Sequence, residues 1–158
     1  MPGQRALSPS HAAYSPSQNW PMLCTEAAIA RADHDLAALF VPGQLWRYQT
    51  RPNEQASRIV IGSVDVVRRQ TVVSICVTGA HIVNLRRPDG YQDMLPHIPI
   101  AASTLITCVV EVCGQSSVPL EFDEGYQMWR EGVEWGQSSF FTIPVADILT
   151  LAEQTAPK

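Results

Sequence analysis

The architecture turns on Arg58-Ile59-Val60-Ile61-Gly62-Ser63-Val64-Asp65-Val66-Val67-Arg68-Arg69-Gln70-Thr71-Val72-Val73-Ser74-Ile75-Cys76-Val77. Arg58 to Val67 is rich in Ile and Val, whose branched side chains suit a pleated surface, and Gly62 is placed as a bulge. Arg68-Arg69-Gln70 supplies a turn into a second strand, Thr71 to Val77. Upstream, Leu45, Trp46 and Tyr48 form a short β-prone run closed by Arg51-Pro52-Asn53. Three neighbouring strands with short connections predict an antiparallel meander.

Downstream of the meander, Ile82 to Leu85 extends the sheet, Arg87-Pro88-Asp89-Gly90 is a turn, and Leu95 to Ile100 is a strand whose prolines suit an edge. Ala101 to Cys113 supports two readings. As a strand it puts Ile106, Cys108, Val110 and Val112 on one face. As a helix, the preferred reading, it turns Leu105, Cys108, Val109 and Val112 to the core and Ser103, Thr104, Thr107 and Glu111 to a polar flank. Asp123 reads as the N-cap of a helix over Glu124 to Trp135, with Tyr126, Trp129 and Val133 at spacings of three and four and Gly136 as the stop. Ser139 to Ile143 reads as a strand, and Val145 to Gln154 as a last helix that buries Ile148, Leu149 and Ala152.

Toward the other end, Ala28, Ile29, Ala32, Leu36 and Leu39 recur at helical spacing, with Thr25 as a cap. They predict a helix within residues 22–40 that stops before Pro42-Gly43. Residues 1–21 hold four Pro, four Ser and one Gly without apolar periodicity, so burial cannot repay the entropy of ordering them and a disordered tail is expected. Met22, where the composition changes, offers a second initiator. The expectation is a single α+β domain over residues 41–155, mainly an antiparallel sheet with helices packed on one face.

With 158 residues, 46% hydrophobic and only 16% charged, the chain has the material for one ordinary domain. Its formal charge of −4 argues against a generic nucleic-acid binder, so nucleic acid is not an expected partner. Arg5 is followed by Ser8, Pro9, Ser10 and His11, which does not fit a secretory signal. The uncharged stretch from Met94 to Val110 is interrupted by two prolines and His97, which does not suit a membrane span. Cys24, Cys76, Cys108 and Cys113 read as buried thiols in a reducing cytoplasm.

Val41-Pro42-Gly43-Gln44-Leu45-Trp46-Arg47-Tyr48-Gln49-Thr50-Arg51-Pro52-Asn53-Glu54, followed by Ser57 and Ile59-Val60-Ile61, resembles an uncharacterised family of small bacterial proteins with a Pro-Gly-Gln-x-Trp-x-Tyr-x-Thr-Arg-Pro opening. A later acidic-Gly-Tyr-x-x-Trp segment, here Glu124-Gly125-Tyr126-Gln127-Met128-Trp129, is similar too. The resemblance covers about residues 41–153 and implies one mixed α+β domain with a helix after Ile100; it carries no activity. The front half also resembles the opening of small barrel-type toxin ribonucleases, in which a Gly-x-x-Trp strand precedes an Arg-Pro turn.

The sequence has no Gly-rich phosphate loop, Gly-x-Ser-x-Gly elbow, His-Glu-x-x-His pair or Cys-x-x-Cys motif, so no catalytic residue is assigned. Cys76 and His81, like Cys108 and Cys113, are five apart, a spacing that turns the side chains away from each other in a strand or a helix. No metal ligand and no cofactor is expected. Glu121, Asp123 and Glu124 stand at a helix entrance, where the dipole favours negative charge, and Arg51 with Glu54 reads as an exposed ion pair holding a turn.

Charge is unevenly distributed. Residues 41–99 carry seven Arg against four acids, net +3, and residues 100–158 carry eight acids against Arg130 and Lys158, net −6. Two function classes follow. In the first, a non-enzymatic protein of the immunity or accessory kind docks a basic partner protein through Glu124, Tyr126, Glu131, Glu134 and Trp135, because aromatics anchor interfaces and acids steer encounter. In the second, a small enzyme or RNA-acting protein uses an Arg-rich sheet face around Trp46, Tyr48, Arg51 and Arg58. The first is preferred.

Overall fold

The computed structural model describes residues 26–155. Two compact units divide between Ala32 and Asp33, and the architecture below belongs to the second. The tail expected over residues 1–21 and Cys24 lie outside the described residues. Helix α1 spans Glu26–Leu39, in agreement with the periodicity of its sequence.

The elements that follow are β1 (Gln44–Tyr48), β2 (Arg58–Val67), β3 (Gln70–Thr78), β4 (Ile82–Val83), β5 (Tyr91–Gln92), β6 (Leu95–Ala101), α2 (Ala102–Cys108), β7 (Val109–Gln115), α3 (Leu120–Glu134) and α4 (Val145–Thr155). A five-stranded antiparallel sheet has the order β6-β3-β2-β1-β7, and β4 pairs with β5 around the Arg87-Pro88-Asp89-Gly90 turn. The fold is a single α+β domain with a mainly antiparallel sheet, as expected. The meander is present with its predicted bulge: the β2–β3 register shifts between Ile61 and Ser63, on either side of Gly62. Val67 pairs with Gln70, so Arg68 and Arg69 form a two-residue hairpin turn, both with positive φ (49° and 69°).

Ile82 to Leu85 does not extend the main sheet as expected, since only Ile82–Val83 is extended and it pairs with Tyr91–Gln92 in a separate two-stranded sheet. Three further expectations need correction. Ala101 to Cys113 is neither all helix nor all strand. Ala102, Leu105 and Cys108 bury one side of a short helix, then Val109 becomes extended (φ −82°, ψ 153°) and the chain continues as β7 beside β1. Ser139 to Ile143 forms no strand; Phe141 alone bridges Ile100, accepting from the amide of Ala101 and donating to the carbonyl of Pro99. The third correction concerns the layers, because helices cover both faces of the sheet.

On one face Trp46, Tyr48, Ile59, Ile61, Val73, Ile75, Val77, Ile98 and Ile100 pack with Leu105, Val145, Ile148 and Leu149, so α2 and α4 lie there, together with Phe40. On the other, Val60 and Cys76 meet Phe122, and Val67 and Val72 meet Trp129, so α3 lies there. Every residue from Thr71 to Val77 is buried. A strand enclosed on both sides has no solvent face to alternate toward, which is why this one reads as an almost unbroken apolar run.

Candidate functional site

The site is built on α3. Its first turn follows Pro119, which has extended backbone and makes no side-chain capping bond, so the helix begins at Leu120. Asp123 is therefore not the N-cap; it sits in the first turn with Glu121, where both carboxylates face the positive end of the helix dipole. The helix ends as predicted at Trp135 and Gly136, the glycine adopting φ +69°.

The inward side of α3 carries Phe122, Tyr126, Trp129 and Val133. Gly62 on β2 makes room for Phe122, since a Cβ there would collide with its ring. A Cβ on Gly125 would lie 2.8 Å from the Cβ of His97. Between the apolar patches runs a polar seam. The Tyr126 hydroxyl donates to the Asp65 carboxylate (2.9 Å), Ser63 donates to the same carboxylate (3.0 Å), and the Trp129 indole N–H donates to the carbonyl of Ser139 (2.7 Å). His97 Nε2 lies 3.0 Å from Ser74 Oγ, with the imidazole ring among those of Phe122, Tyr126 and Trp129. Burial lowers the His97 pKa to about 4 against the opposing pull of Asp65, and burial raises that of Tyr126.

The outward side is of a different character. Leu120 (84% exposed), Met128 (68%) and Trp135 (78%) stand in solvent together with Glu121, Glu124, Glu131 and Glu134. At 100° per residue, Leu120, Glu131, Glu124, Trp135, Met128 and Glu121 fall within about a third of the helix circumference. Three large apolar side chains are thus interspersed with three carboxylates on one stripe. Arg130, the only basic residue of α3, points elsewhere, 3.8 Å from Asp65.

Of the residues expected to dock a partner, Glu124, Glu131, Glu134 and Trp135 are exposed on α3 or at its end. Tyr126 is not; it is half-buried against the sheet and belongs to the polar seam. Leu120 was missed because the helix was expected to begin at Glu124; Met128 lies within the expected helix and was not named. Starting it at Leu120 puts Leu120, Glu124 and Met128 at i, i+4 and i+8, a signal the sequence does contain.

The alternative sheet-face site is not a surface. Trp46 and Tyr48 are buried in the core, the Tyr48 hydroxyl 2.7 Å from Ser57 Oγ. Arg58 is half-buried and donates to the carbonyls of Gln55 and Ser57. Arg51 donates from Nε and Nη2 to both oxygens of Glu54, from Nη1 to Glu153 on α4 and from Nη2 to the carbonyl of His81. All three of its nitrogens are engaged by the protein itself. Glu54, expected in an exposed pair, is buried; burial pushes its carboxyl up, but Arg51 and the His81 amide outweigh that and hold it below the ordinary carboxylate range.

Cys76 and Cys108 are buried free thiols, and Cys113 is an exposed one, which corrects the expectation for that residue. His81 stacks on Tyr91 and Cys76 faces the α3 side of the sheet, so the five-residue spacing brings no metal pair together. Among the described residues no group of three His, Cys, Asp or Glu is placed to hold a metal ion, and no helix is long and apolar enough to cross a membrane. Comparison with protein-family models, with curated proteins and with solved structures finds no match.

Proposed function

We propose that the chain is a non-enzymatic protein-binding module of the immunity or accessory kind, acting in the bacterial cytoplasm, which lays the outer stripe of α3 into an apolar groove rimmed by Arg and Lys on a partner protein. The observation that carries this reading is the exposure of Leu120, Met128 and Trp135 among Glu121, Glu124 and Glu131. Large apolar side chains gain by leaving water, and an amphipathic helix in a groove is a recurring way of doing so. The carboxylates add selection for a basic rim and a salt-dependent on-rate. Every nitrogen of Arg51 already donates within the protein, and Trp46 and Tyr48 have no exposed ring to offer a base, so an RNA-acting sheet face has less to support it.

The test is capture from the bacterial host at low and moderate salt with three forms of the full chain. The wild type is expected to retain one stoichiometric basic protein. The Met128→Ser/Trp135→Ser variant loses it by at least about tenfold, since truncating an aromatic anchor costs about 2 kcal/mol or more. The Glu124→Gln/Glu131→Gln variant binds more weakly and loses its salt dependence. Unchanged retention by both double variants, with wild-type melting curves, overturns the reading.

A further inference from the structure

The loop after β3 and the β4–β5 hairpin line a cavity of about 540 Å³, within the range of small-molecule sites, whose walls include His81, Arg87, Asp89, Tyr91 and Asp93. Both walls are fixed by bonds within the protein. On one side the His81 amide donates to the carboxylate of the buried Glu54, and the His81 carbonyl accepts from Arg51 (3.1 Å). On the other, the Arg87 amide donates to the carbonyl of Asn84 (3.0 Å), that of Gly90 to Arg87 (3.0 Å), that of Asn84 to Gly90 (2.8 Å), and that of Tyr91 to the Asp89 carboxylate (3.2 Å). A ladder of two residues per strand would not hold this loop alone.

Two kinds of group face this space. The His81 and Tyr91 rings pack with their centroids 3.9 Å apart, and both residues are exposed. The same cavity is lined by charges of both signs that do not meet. Among the described residues the Arg87 guanidinium and the Asp93 carboxylate form no ion pair or hydrogen bond, and Asp89 uses only one of its oxygens.

We propose that this cavity binds a free aromatic α-amino acid, its ring on the His81 and Tyr91 pair, its carboxylate toward Arg87 and its ammonium group toward Asp93 and the unused oxygen of Asp89. Each class of lining group argues for one part of that ligand. The planar guanidinium matches a carboxylate bidentately. The exposed rings offer a stacking surface to a third ring. A ligand with only an anionic group meets two carboxylates, and one with only a cationic group meets an uncompensated guanidinium; a zwitterion answers both. Because both walls are fixed before the ligand arrives, little of the binding energy is consumed in ordering them. The site is distinct from the outer stripe of α3 and does not depend on the partner proposed for it.

The test titrates three probes into the isotope-labelled full chain and follows its amide chemical shifts: L-phenylalanine, phenethylamine, which lacks the carboxylate, and hydrocinnamate, which lacks the ammonium group. L-Phenylalanine is expected to give saturable shifts at Ala80, His81 and Arg87 to Asp93 with a dissociation constant of about 1 mM or below. Each truncated probe binds at least tenfold more weakly. Arg87→Gln removes the discrimination between L-phenylalanine and phenethylamine, and Asp93→Asn removes that between L-phenylalanine and hydrocinnamate, as a cycle of ligand and residue changes requires. Neither side chain makes a bond within the described fold, so both variants keep the wild-type melting curve. Absence of a saturable shift up to about 10 mM L-phenylalanine, equal binding of the three probes, or discrimination that survives both variants overturns the proposal. Tighter binding of either truncated probe than of L-phenylalanine overturns it equally, because the site then recognises one charge alone.

Discussion

The two faces of the sheet are held by different means. Under α2 and α4 the contact is mainly apolar, from Trp46 across Ile61 and Ile75 to Leu149, with the Tyr48 hydroxyl bonded to Ser57 at its margin. Under α3 there are two separate apolar patches, with Asp65, Ser63 and Tyr126 bonded between them and His97 against Ser74 beside them. The first face depends on volume, which is additive and tolerant of shape. The second depends on a few directional contacts and on Gly62 and Gly125, where the helix and sheet approach too closely for a side chain. The layer carrying the exposed stripe is therefore sensitive to single atoms and to pH.

The sharpest contrast comes from removing volume on the dry face. Leu149→Ala is expected to destabilise the domain by about 3 kcal/mol, the cost of lost burial plus a partly unrelaxed cavity. Denaturant unfolding checks this, and the loss should be nearly independent of pH between about 4 and 7, because the cluster around Leu149 holds no carboxylate and no imidazole. A smaller loss with strong pH dependence would erase the distinction between the faces.

On the α3 face acid is the probe. Folding lowers the His97 pKa from 6.5 to about 4, so the unfolded chain holds more protons between those values and stability falls as pH drops through that window. The full effect is on the order of 2–3 kcal/mol, complete only below pH about 4. His97→Leu removes this component, and the wild-type minus variant difference in unfolding free energy at a series of pH values measures it. A flat difference between pH 7 and 4 would mean that His97 does not carry the acid response. The smallest expected effect is that of Tyr126→Phe, about 1 kcal/mol for a bond to a partly exposed carboxylate. Hydrogen exchange should place the loss in α3 while the β2–β3 ladder stays protected; uniform loosening would mean that the two faces open together.

The dry face was largely readable in the sequence. Branched residues announced β2 and β3, Gly62 announced the bulge, and periodicity announced α4 within a residue. The second covered face was not inferred, although Thr71 to Val77 shows it in retrospect, because an apolar run can equally be one half-buried strand with a few exposed valines. At Ala101 to Cys113 both readings were locally sound: the helical spacing of Leu105 and Cys108 holds only to Cys108, and the pull of β1 on Val109 onward is a contact that no local pattern encodes. The outer stripe of α3 was legible in its acidic residues and Trp135. Leu120 escaped because acidic side chains near residue 123 imitate a cap that the chain does not use.

Arg51 reaches Glu54 three residues away and Glu153 a hundred and two residues away. At a synthesis rate of about 5–20 residues per second, the guanidinium emerges roughly 5–20 s before its second carboxylate exists. The hairpin of β2 and β3 closes through a two-residue turn on a timescale of about microseconds, long before then. Because an isolated hairpin is only marginally stable, β2 and β3 open and close repeatedly on the nascent chain, and their Ile61 and Ile75 face stays open to water until α4 arrives to cover it.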